Sequence, residues 1–147
     1  MRDHRDSDFL FIPQSTLLDC GAACLKMIAA HFGRRPDSGL SEKQSDTMMT
    51  MADLLAAAEQ FQLRGVAAAV DYDRLADSMP FPCIVHWRGL HYVVVVDASP
   101  ERVIVADPAI SLYTLSRTAF CGYWMGKAER GIVAVFEPIP DESRNAH

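Results

Sequence analysis

Apolar positions recur at helical spacing from Cys20 to Phe32, where Ala23, Cys24, Met27, Ile28 and the His31-Phe32 pair share one side. Gly33 followed by Pro36 stops the run, so the pattern predicts a helix ending near Phe32. Residues Pro36 to Ser45 are rich in Gly, Ser, Asp and Lys and predict a loop. A second helical set, Met51, Leu54, Leu55, Ala58 and Phe61, predicts a helix over Thr50–Phe61 that Ser45, Asp46, Thr47 or Thr50 would cap. Met48, Met49 and Met51 read as its start and core face. Leu63–Val70 predicts a strand, and Asp71–Met79 a short helix with Tyr72, Leu75, Ala76 and Met79 on one side. Pro80 and Pro82 force a break after it.

Beyond that break the apolar pattern shortens its period. Cys83–Trp87, Leu90–Ala98, Arg102–Ala106, Leu112–Leu115 and Gly131–Glu137 read as strands, separated by Arg88-Gly89, Ser99-Pro100 and Asp107-Pro108, while Ser116–Trp124 predicts a short helix. Helices first and strands afterwards give an α+β class, N-terminal helices packed on an antiparallel sheet. The charged residues 1–8 read as a tail, and Phe9–Pro13 as a short strand or an extended lead-in ended by proline. One domain is then expected over residues 9–137, with 138–147 a polar tail or linker.

Composition narrows the function classes. A chain of 147 residues suits a single domain that buries roughly 70% of its unfolded surface. A formal charge of -5 argues against nucleic acid as the main partner. The run Tyr92–Val96 is far short of the ~20 residues that span a bilayer, and the charged start is unlike a signal peptide, so a soluble cytosolic chain is expected. The four cysteines, Cys20, Cys24, Cys83 and Cys121, are irregularly spaced and read as free thiols.

One of them stands apart. Cys20 opens the first predicted helix, where unpaired N–H groups and the positive end of the dipole favour a thiolate. Gln14, six residues earlier, offers a side-chain amide that, with the nucleophile's own N–H, can receive the charge of an acyl-transfer intermediate. Taken singly, a buried structural cysteine and a surface glutamine are the plainer explanations. Of the five histidines, His4 and His147 lie in the tails and His31 ends a helix, leaving His86 and His91 as bases. His91 is preferred because it starts its strand at a rim, whereas His86 is embedded in Ile84-Val85-His86-Trp87. A base needs an orienting carboxylate. Asp97 lies six residues along the same strand, roughly 20 Å away at strand rise. Asp107 ends the next strand and returns to within two or three residues of the position opposite His91, a gap that a bulge or tilt would close. Asp107 precedes a proline and also reads as a turn initiator. Cys24, one turn after Cys20, fits no zinc spacing and reads as core with Met27 and Ile28.

Gln14, the run Asp19-Cys20-Gly21-Ala22-Ala23-Cys24-Leu25, His86-Trp87, His91-Tyr92-Val93-Val94 and Ala106-Asp107-Pro108-Ala109 together resemble the peptidase C39 family, over nearly the whole chain from Phe9 to Pro138. The resemblance implies a papain-like fold, with Cys20 as nucleophile, His91 as base and acid, Asp107 as orienting carboxylate and Gln14 as oxyanion donor. It implies a cysteine endopeptidase that removes leaders from ribosomally made, bacteriocin-like precursors after a Gly-Gly or Gly-Ala end, coupled to ABC-transporter export. The implied partners are a precursor with an amphipathic leader helix and the transmembrane and ATPase parts of a transporter at the inner face of a bacterial membrane. No metal or organic cofactor is implied. Two rivals stay open on the residues alone: another Cys-His-Asp acyl-transfer enzyme, and a non-proteolytic cargo-binding module, against which the presence of both Gln14 and Cys20 speaks.

Overall fold

The computed structural model describes residues 9–16, 19–35, 49–87 and 91–140. The polar tail 1–8, the loop Pro36–Ser45, the capping candidates Ser45, Asp46 and Thr47, the turn Arg88-Gly89 and the end 141–147 lie outside the described residues. The elements run α1 (Cys20–His31), α2 (Met51–Ala58) with a 3-10 turn (Glu59–Phe61), β1 (Leu63–Val70), α3 (Tyr72–Ser78), β2 (Cys83–Trp87), β3 (His91–Ala98), β4 (Arg102–Ala106), β5 (Leu112–Ser116), α4 (Arg117–Trp124) and β6 (Gly131–Pro138). The strands form one six-stranded sheet, order β1-β6-β2-β3-β4-β5, and every pairing is antiparallel. The α+β class read from the sequence is the observed one.

Local chemistry sets the helix starts. Thr50 caps α2 through a reciprocal capping box, its hydroxyl accepting from Asp53 N at 3.1 Å while the Asp53 carboxylate accepts from Thr50 N at 3.0 Å. Asp71 caps α3 and Ser116 caps α4 in the same sense. The helix expected to reach Phe61 tightens into the 3-10 turn for its last residues and ends at Gln62, which takes the left-handed conformation at φ 60°. Phe9–Pro13 is not a strand; Phe9, Phe11 and Ile12 pack half-buried against the helical side of the core.

Both sheet faces are covered, which explains why Tyr92–Val96 reads as an unbroken apolar run instead of an alternating one. Tyr92, Val94 and Val96 join Cys24, Leu25, Ile28 and Leu54 under α1 and α2. Val93 and Val95 point the other way, into a second cluster with Leu75, Trp87, Phe120 and Trp124 beneath α3 and α4. Gly21 lets α1 approach β3: a Cβ there would stand 3.1 Å from Met49 Sδ, 3.2 Å from Leu54 and 3.5 Å from Tyr92. No helix among the described residues is long and apolar enough to cross a membrane.

Trp124 is pinned by a 2.9 Å bond from its indole N–H to Ile132 O and lies over Gly131, where an added Cβ would fall 2.2 Å from the ring. Gly131→Ala must therefore displace a ring that is both buried and hydrogen-bonded, an overpacking expected to cost about 1–3 kcal/mol. Urea unfolding of the variant checks this; an unchanged midpoint would show that α4 moves aside freely.

Candidate active site

Cys20 is the first residue of α1, and the helix presents its free N-terminal amides there because Asp19, at the N-cap position, makes no side-chain bond to the helix. The residue is 1% exposed. Cys24, one turn on, is fully buried, and its Sγ donates to Tyr92 O at 3.4 Å. Burial, and then the nearby Cys20 and Asp107, push the Cys24 thiol well above its ordinary range. Both cysteines are buried; they differ in position along α1 and in neighbours.

His91 opens β3 at the end of the sheet. Its Nε2 lies 2.8 Å from Asp107 Oδ1, leaving Nδ1 as the ring's other nitrogen. The bond to Asp107 and then the neighbouring Cys20, opposed by burial, raise the His91 pKa to about 9. Burial works to raise Asp107, but His91, the Ala109 N–H at 3.0 Å and the Tyr113 hydroxyl at 3.2 Å outweigh it and hold the carboxylate below its ordinary value.

The reach from Asp107 to His91 depends on a bulge. Near the Ser99-Pro100 turn Ala98 pairs with Val103 and Asp97 with Ile104, a register that would carry Asp107 to a place opposite Val94. An extra residue enters β3 between Val95 and Asp97, so Ala106 pairs with Val94 instead and Asp107 follows one step farther, toward Val93. Val93 and His91 are two apart and share a face, whereas Val94 faces the other way. The single-residue slip moves Asp107 onto the face of His91.

Gln14 is held at both ends. Its backbone N–H donates to Pro108 O at 2.9 Å, tying it to the residue after Asp107, and its Nε2 donates to Thr16 O at 2.8 Å. Its Oε1 is buried and accepts no bond among the described residues. Gln14 is thereby tied to the residue after Asp107, and Asp107 to His91. His86 stays apart, stacked on Tyr92 at 5.0 Å with its Nε2 buried and without a partner among the described residues, and burial lowers its pKa. Asp97 bonds its neighbour Ala98 N at 2.9 Å. Among the described residues no group of three or more His, Cys, Asp or Glu stands together to hold a metal ion.

Two polar residues of this network escaped the sequence reading. Tyr113 reaches Asp107 Oδ2 because β5 folds back on β4, pairing Tyr113 with Val105; nothing local signals that contact. Asp19 accepts from Ser15 N at 2.9 Å and from Thr16 N at 2.7 Å, although its place just ahead of a helix suggests an ordinary cap.

Comparison with known proteins identifies the family and the fold. The model of the "Peptidase C39 family" matches residues 8–129. The colicin V secretion/processing ATP-binding protein CvaB of Escherichia coli is 33% identical over 120 residues, covering 80% of this chain but only 17% of CvaB. The chain thus spans less than a fifth of the length of the curated relatives it matches, such as CvaB at 17% and Streptococcus pneumoniae ComA at 19%. Among solved structures, a double glycine motif protease from an AMS/PCAT transporter, in complex with the leader peptide, superposes with a TM-score of 0.69 at 27% identity, covering 88% of this chain and 91% of that one. The peptidase domain of Streptococcus ComA superposes with a TM-score of 0.73 at 23% identity, covering 88% and 98%, a likeness of fold. The chain belongs to the peptidase C39 family of cysteine peptidases.

Proposed function

We propose that this chain cuts a leader from a ribosomally made precursor peptide after a Gly-Gly or Gly-Ala end, with Cys20 as nucleophile, His91 as acid and base, Asp107 as its orienting carboxylate and Gln14 as an oxyanion donor. The observation that carries the reading is His91 held by Asp107 at 2.8 Å, with Cys20, the first residue of α1, near enough to act on its pKa. The Cys20 thiolate attacks the carbonyl carbon ahead of the scissile bond, and the oxygen takes up the negative charge. The free N–H of Cys20 and the second N–H of the Gln14 amide receive it. Collapse breaks the C–N bond, and the imidazolium of His91 protonates the departing amine. His91, now neutral, takes a proton from water, which attacks the thioester and releases the leader as a carboxylate.

The solved double glycine motif protease, similar to this chain, supports a need for glycine before the cut. The relatives named as secretion and processing proteins, and the transporter protease solved with its leader peptide, support a precursor with a leader and an exporter as partner; the reading adds that the leader is an amphipathic helix docked away from the thiol, and that the exporter is met on the cytosolic side. The test is kcat/KM for a full precursor, the same precursor with its leader's apolar anchors made polar, and a short peptide carrying only the Gly-Gly end. Remote binding that positions the cleavage end predicts a fall of roughly 100-fold or more for the last two. Equal values for all three would remove leader docking from the reading, and no cleavage of any would remove the peptidase.

A further inference from the structure

We propose that Asp19 is a positioning residue for the oxyanion site, its carboxylate clamping the Gln14–Thr16 turn to the chain immediately ahead of the nucleophile. This rests on the reading of Cys20 and Gln14 given above and goes one step behind it.

Asp19 does not do what its neighbours in kind do. Thr50, Asp71 and Ser116 each accept from an amide of the helix they precede, at 3.1, 2.8 and 3.2 Å. Asp19, with φ -109° and ψ 28°, gives α1 no side-chain bond at all. Its carboxylate turns back along the chain: Oδ2 accepts from Ser15 N at 2.9 Å, and Oδ1 accepts from Thr16 N at 2.7 Å and from Thr16 Oγ1 at 3.3 Å. The carbonyl of Thr16 in turn accepts the Gln14 amide at 2.8 Å. The path from the residue preceding the nucleophile to the oxyanion donor therefore runs through one carboxylate and one residue, Thr16.

Two consequences follow physically. A carboxylate that accepts two backbone N–H groups at once fixes a turn more tightly than one acceptor can, and one N–H of the Gln14 amide is spent on Thr16 O, which sets the direction of the other. By facing away from α1, the carboxylate also leaves the helix's first amides unoccupied and keeps its charge off the atoms that the thiolate and the oxyanion need. Burial pushes Asp19 upward, but the Thr16 and Ser15 amides hold it below its ordinary carboxylate value, so it is an ionised acceptor at neutral pH.

The test uses a peptide whose Gly-Gly end is joined to a fluorogenic amine, with kcat and KM measured for the wild type, Asp19→Asn, Asp19→Ser, Gln14→Ala and the Asp19→Asn/Gln14→Ala pair. The alkylation rate of Cys20 by iodoacetamide is followed alongside. Asn lacks a second acceptor oxygen, and Ser loses the double acceptor while offering the helix a cap that Asp19 does not make, so the two variants load the fold differently. Each is expected to lower kcat about 10- to 100-fold at nearly constant KM, the size of a displaced rather than absent donor. Alkylation, which builds no oxyanion, is expected to stay within about threefold, and Asp19→Asn is expected to add little to Gln14→Ala because both act on one donor. A kcat unchanged in Asp19→Asn or Asp19→Ser while Gln14→Ala is slow overturns the proposal alone. So does alkylation that slows in step with turnover, or full additivity in the double variant. Full activity of Gln14→Ala overturns the oxyanion assignment and the proposal with it.

Discussion

Cys20→Ala is expected to be folded and inactive, with kcat lowered on the order of 10^5- to 10^6-fold, the scale of losing a nucleophile from a unit that works as a whole. Cys24→Ser is expected to keep most of its rate per folded molecule. The difference comes from position along one helix. Cys20 lies at the helix start beside His91, whereas Cys24, one turn on, donates to Tyr92 O and has its thiol pushed up in pKa by burial. A serine at 24 can still donate to that carbonyl, so its cost falls on packing and stability. Titrating both variants with a thiol alkylator and assaying the precursor separates them. A folded Cys24→Ser as dead as Cys20→Ala would move the nucleophile one turn along the helix.

The second large effect belongs to Asp107. Asp107→Asn is expected to cost kcat roughly 10^4-fold, because an amide neither holds the imidazole in the required tautomer nor stabilises its charge. The pH dependence sharpens this. His91 is raised from 6.5 to about 9, with the Asp107 bond as the largest cause, so wild-type kcat/KM should fall as pH rises through about 9, where the acid that protonates the leaving amine is lost. In Asp107→Asn that alkaline fall should begin at lower pH. An unmoved alkaline limb, or a rate near wild type, would take Asp107 out of the mechanism.

The same pair makes a statement about stability. A histidine whose folded pKa is raised contributes stability fully present below its unfolded value of 6.5, and that contribution is lost as pH rises through about 9. Asp107 is depressed below 3.8, so its contribution is present above that value and lost as pH falls through the folded pKa. The ion pair therefore supports the fold between these limits and fails at either side. Thermal unfolding across pH should show Asp107→Asn losing the difference at neutral pH and converging on the wild type in strong acid.

Much of this was legible in the residues. The strands Leu63–Val70, Cys83–Trp87 and Arg102–Ala106 have the ends their patterns predict, because period and turn residues are local quantities. The place of Cys20 at a helix start is local too, since Gly21 and the two alanines after it begin the helix. The candidate residues could be named because their chemistry is carried by residue type and by order along the chain.

Their meeting is another matter, since what brings Asp107 to His91 is the parity of a ladder. One added residue in β3 between Val95 and Asp97 decides which face Asp107 occupies. An apolar run buried on both faces, as Tyr92–Val96 is, gives no alternation from which that slip can be read. Tyr113 joins Asp107 only because a second hairpin folds β5 onto β4, and Asp19 gives up its cap only because Ser15 and Thr16 offer it two amides at once. Sequence by itself determined the elements and the reactive groups, which depend on neighbours a few residues apart. Register, face and hydrogen-bond partner were decided by the tertiary structure, because each depends on where a second segment comes to rest.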